Sequence, residues 1–321
     1  MKIILRLTFT LCVFCLLCGA ARAQNIGFSA GGIVNETSFA KSYSWKLNYY
    51  DTISGNWKWS FSWYNEGHFT RHHRDGMLLQ AGYNLPVVED KFFADILAGP
   101  YYFFDTTPGK GSDYKNIHSL GLGTSLGFWY YFTPEWALRG SFTSILSDGA
   151  NIDMASFLLG LSYKLKPAAR VDIHPIYDGQ NEVVIYSGQT IVNSFNSQHG
   201  MSAMIEYRRN MYEYLDISAA FLNEGDSNVI RRNGIILQAW PVKRFYEGSL
   251  ALSVGLGAYI ALDSHEVNDG RKNKPAAGII TMSGAYRVGI VPITLRAAWN
   301  RIATSYDRDT DVIMAGIGYY F

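Results

Sequence analysis

Cysteine is nearly missing from this chain: three residues in 321, and Cys12, Cys15 and Cys18 all fall in its first 23 positions. Beyond them there is no thiol for nucleophilic catalysis, no disulfide framework and no cysteine metal site. Long apolar runs are also absent. None reaches the 18 residues a membrane-crossing helix needs, and apolar residues at helical spacing are scarce after Gln24. Charge of one sign is lacking too: 28 basic and 27 acidic side chains leave a formal net charge of +1. That excludes the basic footprint of a nucleic-acid-binding protein. Lys2 and Arg6 flank the short apolar stretch "LTFTLCVFCLLCGA", and Ala21-Arg22-Ala23 has the small-x-small pattern of a cleavage site. Residues 1–23 are therefore expected to be a secretory signal peptide.

What the chain has in plenty is alternation and aromatic side chains, which make up 15% of it. In "SYSWKLNYY", Tyr43, Trp45, Leu47 and Tyr49 share one face of a strand and Ser42, Ser44, Lys46 and Asn48 the other. In "NWKWSFSWYNE", Trp57, Trp59, Phe61 and Trp63 oppose Lys58, Ser60, Ser62 and Tyr64. A soluble sandwich also alternates, but its apolar face is a core of Val, Leu and Ile. Apolar faces this aromatic, opposite faces of Ser, Lys and Asn, are the pattern of a membrane barrel with lipid outside and polar groups inside.

The last strand, "VIMAGIGYYF", puts Ile313, Ala315, Ile317, Tyr319 and Phe321 on one face and ends on an aromatic. In this it resembles bacterial outer-membrane β-barrel proteins, whose final strand closes an alternating apolar pattern with Phe. The resemblance implies an all-β, transmembrane antiparallel barrel in the bacterial outer membrane, with outer-membrane lipid and the barrel assembly machinery as partners. It also implies that both termini face the periplasm, so that odd-numbered connections face outside.

An internal repeat sets the strand count. Asn65-Glu66-Gly67 recurs as Asn223-Glu224-Gly225, Arg74 as Arg232, Gln80 as Gln238 and Asp105 as Asp263. The same offset matches Ile33-Val34-Asn35 to Ile191-Val192-Asn193, and later, with a shift one or two residues smaller, "LRGSFTSI" answers "LRAAWNRI" and "GLSY" answers "GIGY". Each copy holds eight strands of about ten residues, the length of a tilted membrane strand. The expected organisation is residues 24–166 as the first eight-strand repeat, 167–181 as a periplasmic turn or linker, and 182–321 as the second. Two closures fit: one barrel of about sixteen strands, or two tandem eight-stranded barrels. A single barrel is preferred because it leaves one closing pair and no edge. Pro100 falls within a strand, where it lacks the ladder N–H, and is read as a bulge.

The densest chemistry is "NEGHFTRHHRDG", residues 65–76, expected at an outward hairpin tip. Its second copy, "NEGDSNVIRRNG", keeps the Glu and Arg but none of the histidines. The shared residues Asn35, Glu66, Arg74 and Asp105, with Asn193, Glu224, Arg232 and Asp263, read as a lumen-side rim network in which one guanidinium bridges two carboxylates. His68, His72 and His73 belong to the first copy alone. They are a solvated loop or a functional group. Spacing gives no guarantee of a metal site on a hairpin, so no metal and no cofactor is implied. The catalytic candidates are Glu66, His68 and Asp105, a histidine polarised by a carboxylate at outer-leaflet height. That shares only its location with outer-membrane lipid A deacylases and palmitoyltransferases, whose motifs are not here. Arg139 and Arg296 are repeat-equivalent and would stand on opposite walls of a wide lumen, among inward Lys46, Lys58, Asp95, Glu206, Arg208 and Asp216. Two functions follow as expectations: a pore or transport protein for a small solute or envelope polysaccharide, or a surface enzyme acting on outer-leaflet lipid.

Overall fold

A computed structural model describes residues 24–109, 114–147, 152–166, 181–266, 275–289 and 291–321. The expected signal peptide, and all of the expected linker except Asn181, lie outside these residues. The described residues form sixteen antiparallel strands. The first eight are β1 (Gln24–Asn35), β2 (Lys41–Ser54), β3 (Trp57–Phe69), β4 (His72–Val88), β5 (Phe92–Pro108), β6 (Tyr114–Tyr131), β7 (Trp136–Ser147) and β8 (Met154–Leu165). The second eight are β9 (Asn181–Val192), β10 (His199–Tyr212), β11 (Leu215–Asp226), β12 (Ile230–Phe245), β13 (Leu250–Glu266), β14 (Ala276–Arg287), β15 (Ile293–Ala303) and β16 (Thr310–Tyr320).

The strands close twice. β1 pairs with β8 from Gln24↔Leu165 to Asn35↔Met154, and β9 pairs with β16 from Val192↔Thr310 to Glu182↔Tyr320. Each set of eight is a closed barrel and a compact unit of its own. The preference for one sixteen-stranded barrel is therefore corrected to the tandem alternative. The physical reason is that eight strands already leave no unpaired edge, so nothing drives a larger ring.

Side chains alternate as the pleat requires over most strands, but on β3 Trp59, Phe61 and Trp63, expected to face lipid, are buried like the residues opposite them. In the first barrel Ile96, Leu122, Leu126, Phe128, Leu159 and Leu161 are exposed on the outside; in the second, Ile185, Ile205, Leu237, Leu262, Leu295 and Ile317. The inward faces carry Ser, Thr, Gln and charged residues, nearly all buried. Pro100 is not a bulge. The β4–β5 register is the same on both sides of it, Leu78↔Tyr101 and Ala81↔Ala98, and the ladder only omits the two pairs between. Its other side pairs normally, with Pro100 opposite Leu122. A missing N–H removes one bond without adding a residue.

Candidate functional site

At the rim opposite the chain ends, the shared motif builds the same device in each barrel. In the first, the β3–β4 register slips between Asn65 and His68; in the second, the β11–β12 register slips between Asn223 and Asp226. The Asn side chain holds this bulge by accepting from the Gly amide two residues on, Gly67 N to Asn65 Oδ1 at 3.0 Å and Gly225 N to Asn223 Oδ1 at 2.8 Å. Gly67 and Gly225 have φ of 74° and 71°. A β-carbon there would lie 2.0 Å from the Tyr43 carbonyl oxygen or 1.8 Å from that of Met201, so glycine is required at both. The bulge turns Glu66 and Glu224 inward, where each is fully buried against an arginine eight residues on.

Arg74 Nε donates to Glu66, its Nη1 to Ser147 Oγ at 2.8 Å, and its Nη2 to the Ile152 carbonyl at 3.1 Å. Arg232 donates to both oxygens of Glu224 (2.8 and 2.9 Å), to Tyr306 and Thr310, and to the Arg308 carbonyl at 3.1 Å. Each arginine thus reaches from its hairpin to the connection before the last strand of its own barrel. That connection is pinned by an aspartate overlooked in the repeat. Asp153 accepts from Ser147 N and its carbonyl takes Glu36 N; Asp309 accepts from Thr304 N and its carbonyl takes Asn193 N. The signal that could have found the pair is the shorter repeat offset late in the chain.

Three expectations about this network are corrected. Arg74 does not bridge two carboxylates, because Asp105 bonds His72 Nδ1 at 2.9 Å. Asp263 is not in the second lumen. A register slip between Asn233 and Gly234 turns it to the exposed face, opposite Asn233. Asn193 is not the counterpart of Asn35: it lies past the end of β9 and makes the backbone bond that Glu36 makes. A one-residue slip in the alignment exchanges inside and outside. Asn35 itself accepts from Thr37 N and Ser38 N in the β1–β2 turn.

The catalytic candidates are not brought together. Glu66 belongs to Arg74. His68 is exposed, stacked on His73 at 4.0 Å between ring centroids and 5.8 Å from the Tyr43 ring. Asp105 serves His72. His118 lies on the other face of the sheet from Asp105, edge-on to Phe104 at 5.4 Å. Among the described residues no three His, Cys, Asp or Glu converge as a metal site.

Beneath the rim both interiors are filled in layers. The first barrel has an apolar layer including Tyr64, Leu78, Tyr101, Phe103 and Leu158. Next come Gln80, Ser125 and Thr143, joined at 3.2 and 3.0 Å, with Lys46 donating to Thr143 at 2.6 Å. The second barrel repeats this as an apolar layer around Tyr259 and Met314, then Gln238, Thr281 and Asn300 at 2.9 and 2.8 Å. Toward the chain ends the barrels differ. Lys58 and Trp129 each donate to Asp95 at 2.5 Å, and Arg139 approaches it at 3.8 Å. In the second barrel Arg296 takes both oxygens of Glu182, and Arg208 and Arg244 share Asp216. Arg139 and Arg296 therefore stand one in each barrel, not on facing walls of one lumen.

Two closed eight-stranded barrels with apolar exteriors and side-chain layers across their interiors define the class by fold: this is the architecture of outer-membrane β-barrel proteins, all-β and doubled. No family model matches it, and no curated protein does. Similar solved structures include Ail, the attachment invasion locus protein of Yersinia pestis (14% identity, 44% of this chain and 96% of that one, TM-score 0.34). Neisserial surface protein A is 15% identical over 46% of this chain and 99% of its own, with a TM-score of 0.39. The translocator domain of the Neisseria meningitidis autotransporter NalP spans 98% of this chain and 95% of its own at 8% identity and a TM-score of 0.21.

Proposed function

We propose that this protein is a closed, non-conducting outer-membrane barrel that works by binding at the mouths of its barrels. The observation that supports this is the stack of side-chain layers across each lumen, from the Arg–Glu brace at one rim to the ion pairs near the chain ends. The wide-pore expectation rested on a sixteen-stranded lumen, which is not formed. An eight-stranded ring has room only for the side chains that fill it, or for one small ligand. Planar-bilayer recording of the folded protein is expected to give no single-channel steps. Stable steps whose size scales with bulk salt would overturn the reading.

The His72–Asp105 pair supports a second reading, a surface enzyme acting on outer-leaflet lipid. A carboxylate on Nδ1 orients an imidazole for proton transfer through its other nitrogen, and the His72 side chain is 30% exposed while that of Asp105 is 1%. The mass of lipid A in cells producing the protein, compared with cells producing His72→Ala, tests it. Unaltered lipid with the wild-type chain would sink this second reading and leave the first intact.

A further inference from the structure

The two barrels differ most at the mouth that carries their chain ends. In the first, a cavity of about 600 Å³ opens there. Small-molecule sites typically occupy roughly 300–1,000 Å³, walled by aromatic groups with a few polar ones. The walls fit that description. Trp129 meets Tyr50 edge-on at 4.9 Å and stacks on Tyr131 at 6.4 Å, and Phe93 meets Tyr131 at 5.8 Å. Asn25, Asn56 and Asn84 supply amides, and the three cations Lys58, Lys91 and Lys164 outnumber the two carboxylates Asp51 and Asp90, of which Asp51 already accepts from Gln24 and Tyr49.

The repeat shows how the charges at this mouth differ between the barrels. Asn25 lies opposite Tyr50 on β2, which lies opposite Ser60 on β3. In the second barrel the same row is Glu182, Arg208 and Ser218. Asn25 therefore stands where Glu182 stands. Glu182 neutralises Arg296 with both of its oxygens. Asn25 has no charge to give Arg139, and its Oδ1 accepts instead from Tyr131 at 3.4 Å. Arg139 is 3% exposed and its Nε and Nη1 bond nothing; its carboxylate is Asp95, which stands where the second barrel has Ser253 and is shared with Lys58, so one carboxylate serves two cations. Its guanidinium lies over the cavity-lining rings of Tyr50 and Trp129 at 4.9 and 5.0 Å. At the mouth, Lys91 and Lys164 are exposed. The second barrel has Tyr320 where the first has Lys164, and its corresponding end is packed with interlocked Arg208, Asp216, Arg244 and Arg296.

We infer that this mouth of the first barrel is a binding site for a small acidic sugar, a monosaccharide carrying one carboxylate or one phosphate. Its anionic group takes the place beside Asn25 where the second barrel has a carboxylate, drawn by Lys58, which lines the cavity, and by Arg139, which lies against the lining rings of Tyr50 and Trp129 without lining the cavity itself. The aromatic walls take the apolar face of the sugar ring, and the asparagine amides take its hydroxyls. A neutral sugar would leave the buried cation as it stands, so the charge is the discriminating feature. This rests on the binding reading above, but conduction and sugar binding are measured separately, so either can fail alone.

The test is calorimetric titration of the folded full chain with glucuronate, with glucose 1-phosphate and with glucose. Saturable binding of either anion, with glucose at least about tenfold weaker, is the expected result, and the tighter anion identifies the source. Asn25→Glu installs the second barrel's carboxylate and is expected to weaken anion binding by about tenfold or more. If that variant does not fold, Lys91→Gln with Lys164→Gln at the exposed mouth is expected to weaken it several-fold. Equal binding of glucose and the anions, no binding of either anion, or unchanged affinity in the folded variants would overturn the inference.

Discussion

Arg232 holds Glu224 with two hydrogen bonds, 2.8 Å from Nε and 2.9 Å from Nη2, and both side chains are completely buried. Breaking a buried pair by removing one partner leaves a charge with no compensation and typically costs about 3–5 kcal/mol. Arg232→Ala is expected to lose stability on that scale, and Arg74→Ala likewise, since its side chain is 1% exposed against a fully buried Glu66. Urea unfolding from lipid vesicles measures it. A loss no larger than the roughly 0–1 kcal/mol of a surface ion pair in both variants would mean that water reaches the rim.

Gly67 and Gly225 carry the second expectation. Each combines a left-handed backbone with a carbonyl oxygen where a β-carbon would go. Gly67→Ala and Gly225→Ala should each destabilise by about 1–3 kcal/mol or prevent folding. Gly32→Ala is the control, because its β-carbon would meet nothing within 4 Å. Comparable folding yields for all three would contradict the bulge geometry.

Closure is testable by covalent chemistry. The described residues contain no cysteine, so Ala30→Cys with Leu159→Cys introduces one pair, on facing positions of β1 and β8. Directly opposed antiparallel residues have Cα atoms about 4.5–5.5 Å apart, within disulfide range. Oxidation is expected to join this pair and not Ala30→Cys with Ala315→Cys. A crosslink from the first strand to the last strand instead would restore the single barrel.

The histidines separate into two kinds. His68 and His73 face each other across the hairpin, and the second barrel puts Asp226 and Arg231 in those places. Their alanine variants should fold with stability unchanged within about 0.5 kcal/mol. His72→Ala is different: it strands the buried Asp105 and should cost about 1–3 kcal/mol. Thermal or urea unfolding of the three variants distinguishes the cases. Equal, negligible effects would mean that the His72–Asp105 contact contributes nothing to the fold.

Much of this protein could be read from its residues alone. Alternation with period 2 identifies strands in segments such as 41–50 and 57–64, because a strand's side chains have only two directions to take; over 41–50 it also sorts exposed from buried, whereas 58–64 is buried on both faces. The recurrence of Asn-Glu-Gly with an arginine eight residues after the Glu marks a paired device, and the need for a left-handed backbone explains its glycine. The tertiary structure alone decided the closure. Period 2 says which way a side chain points and nothing about which strand lies beside it, so one ring of sixteen and two of eight share one pattern. It also decided the partners. A single register slip at Gly234 takes Asp263 out of the lumen, and a one-residue offset in β1 makes Asn25, not Gln24, the counterpart of Glu182. Sequence spacing is blind to such slips, while the hydrogen-bonded ladder must register every one.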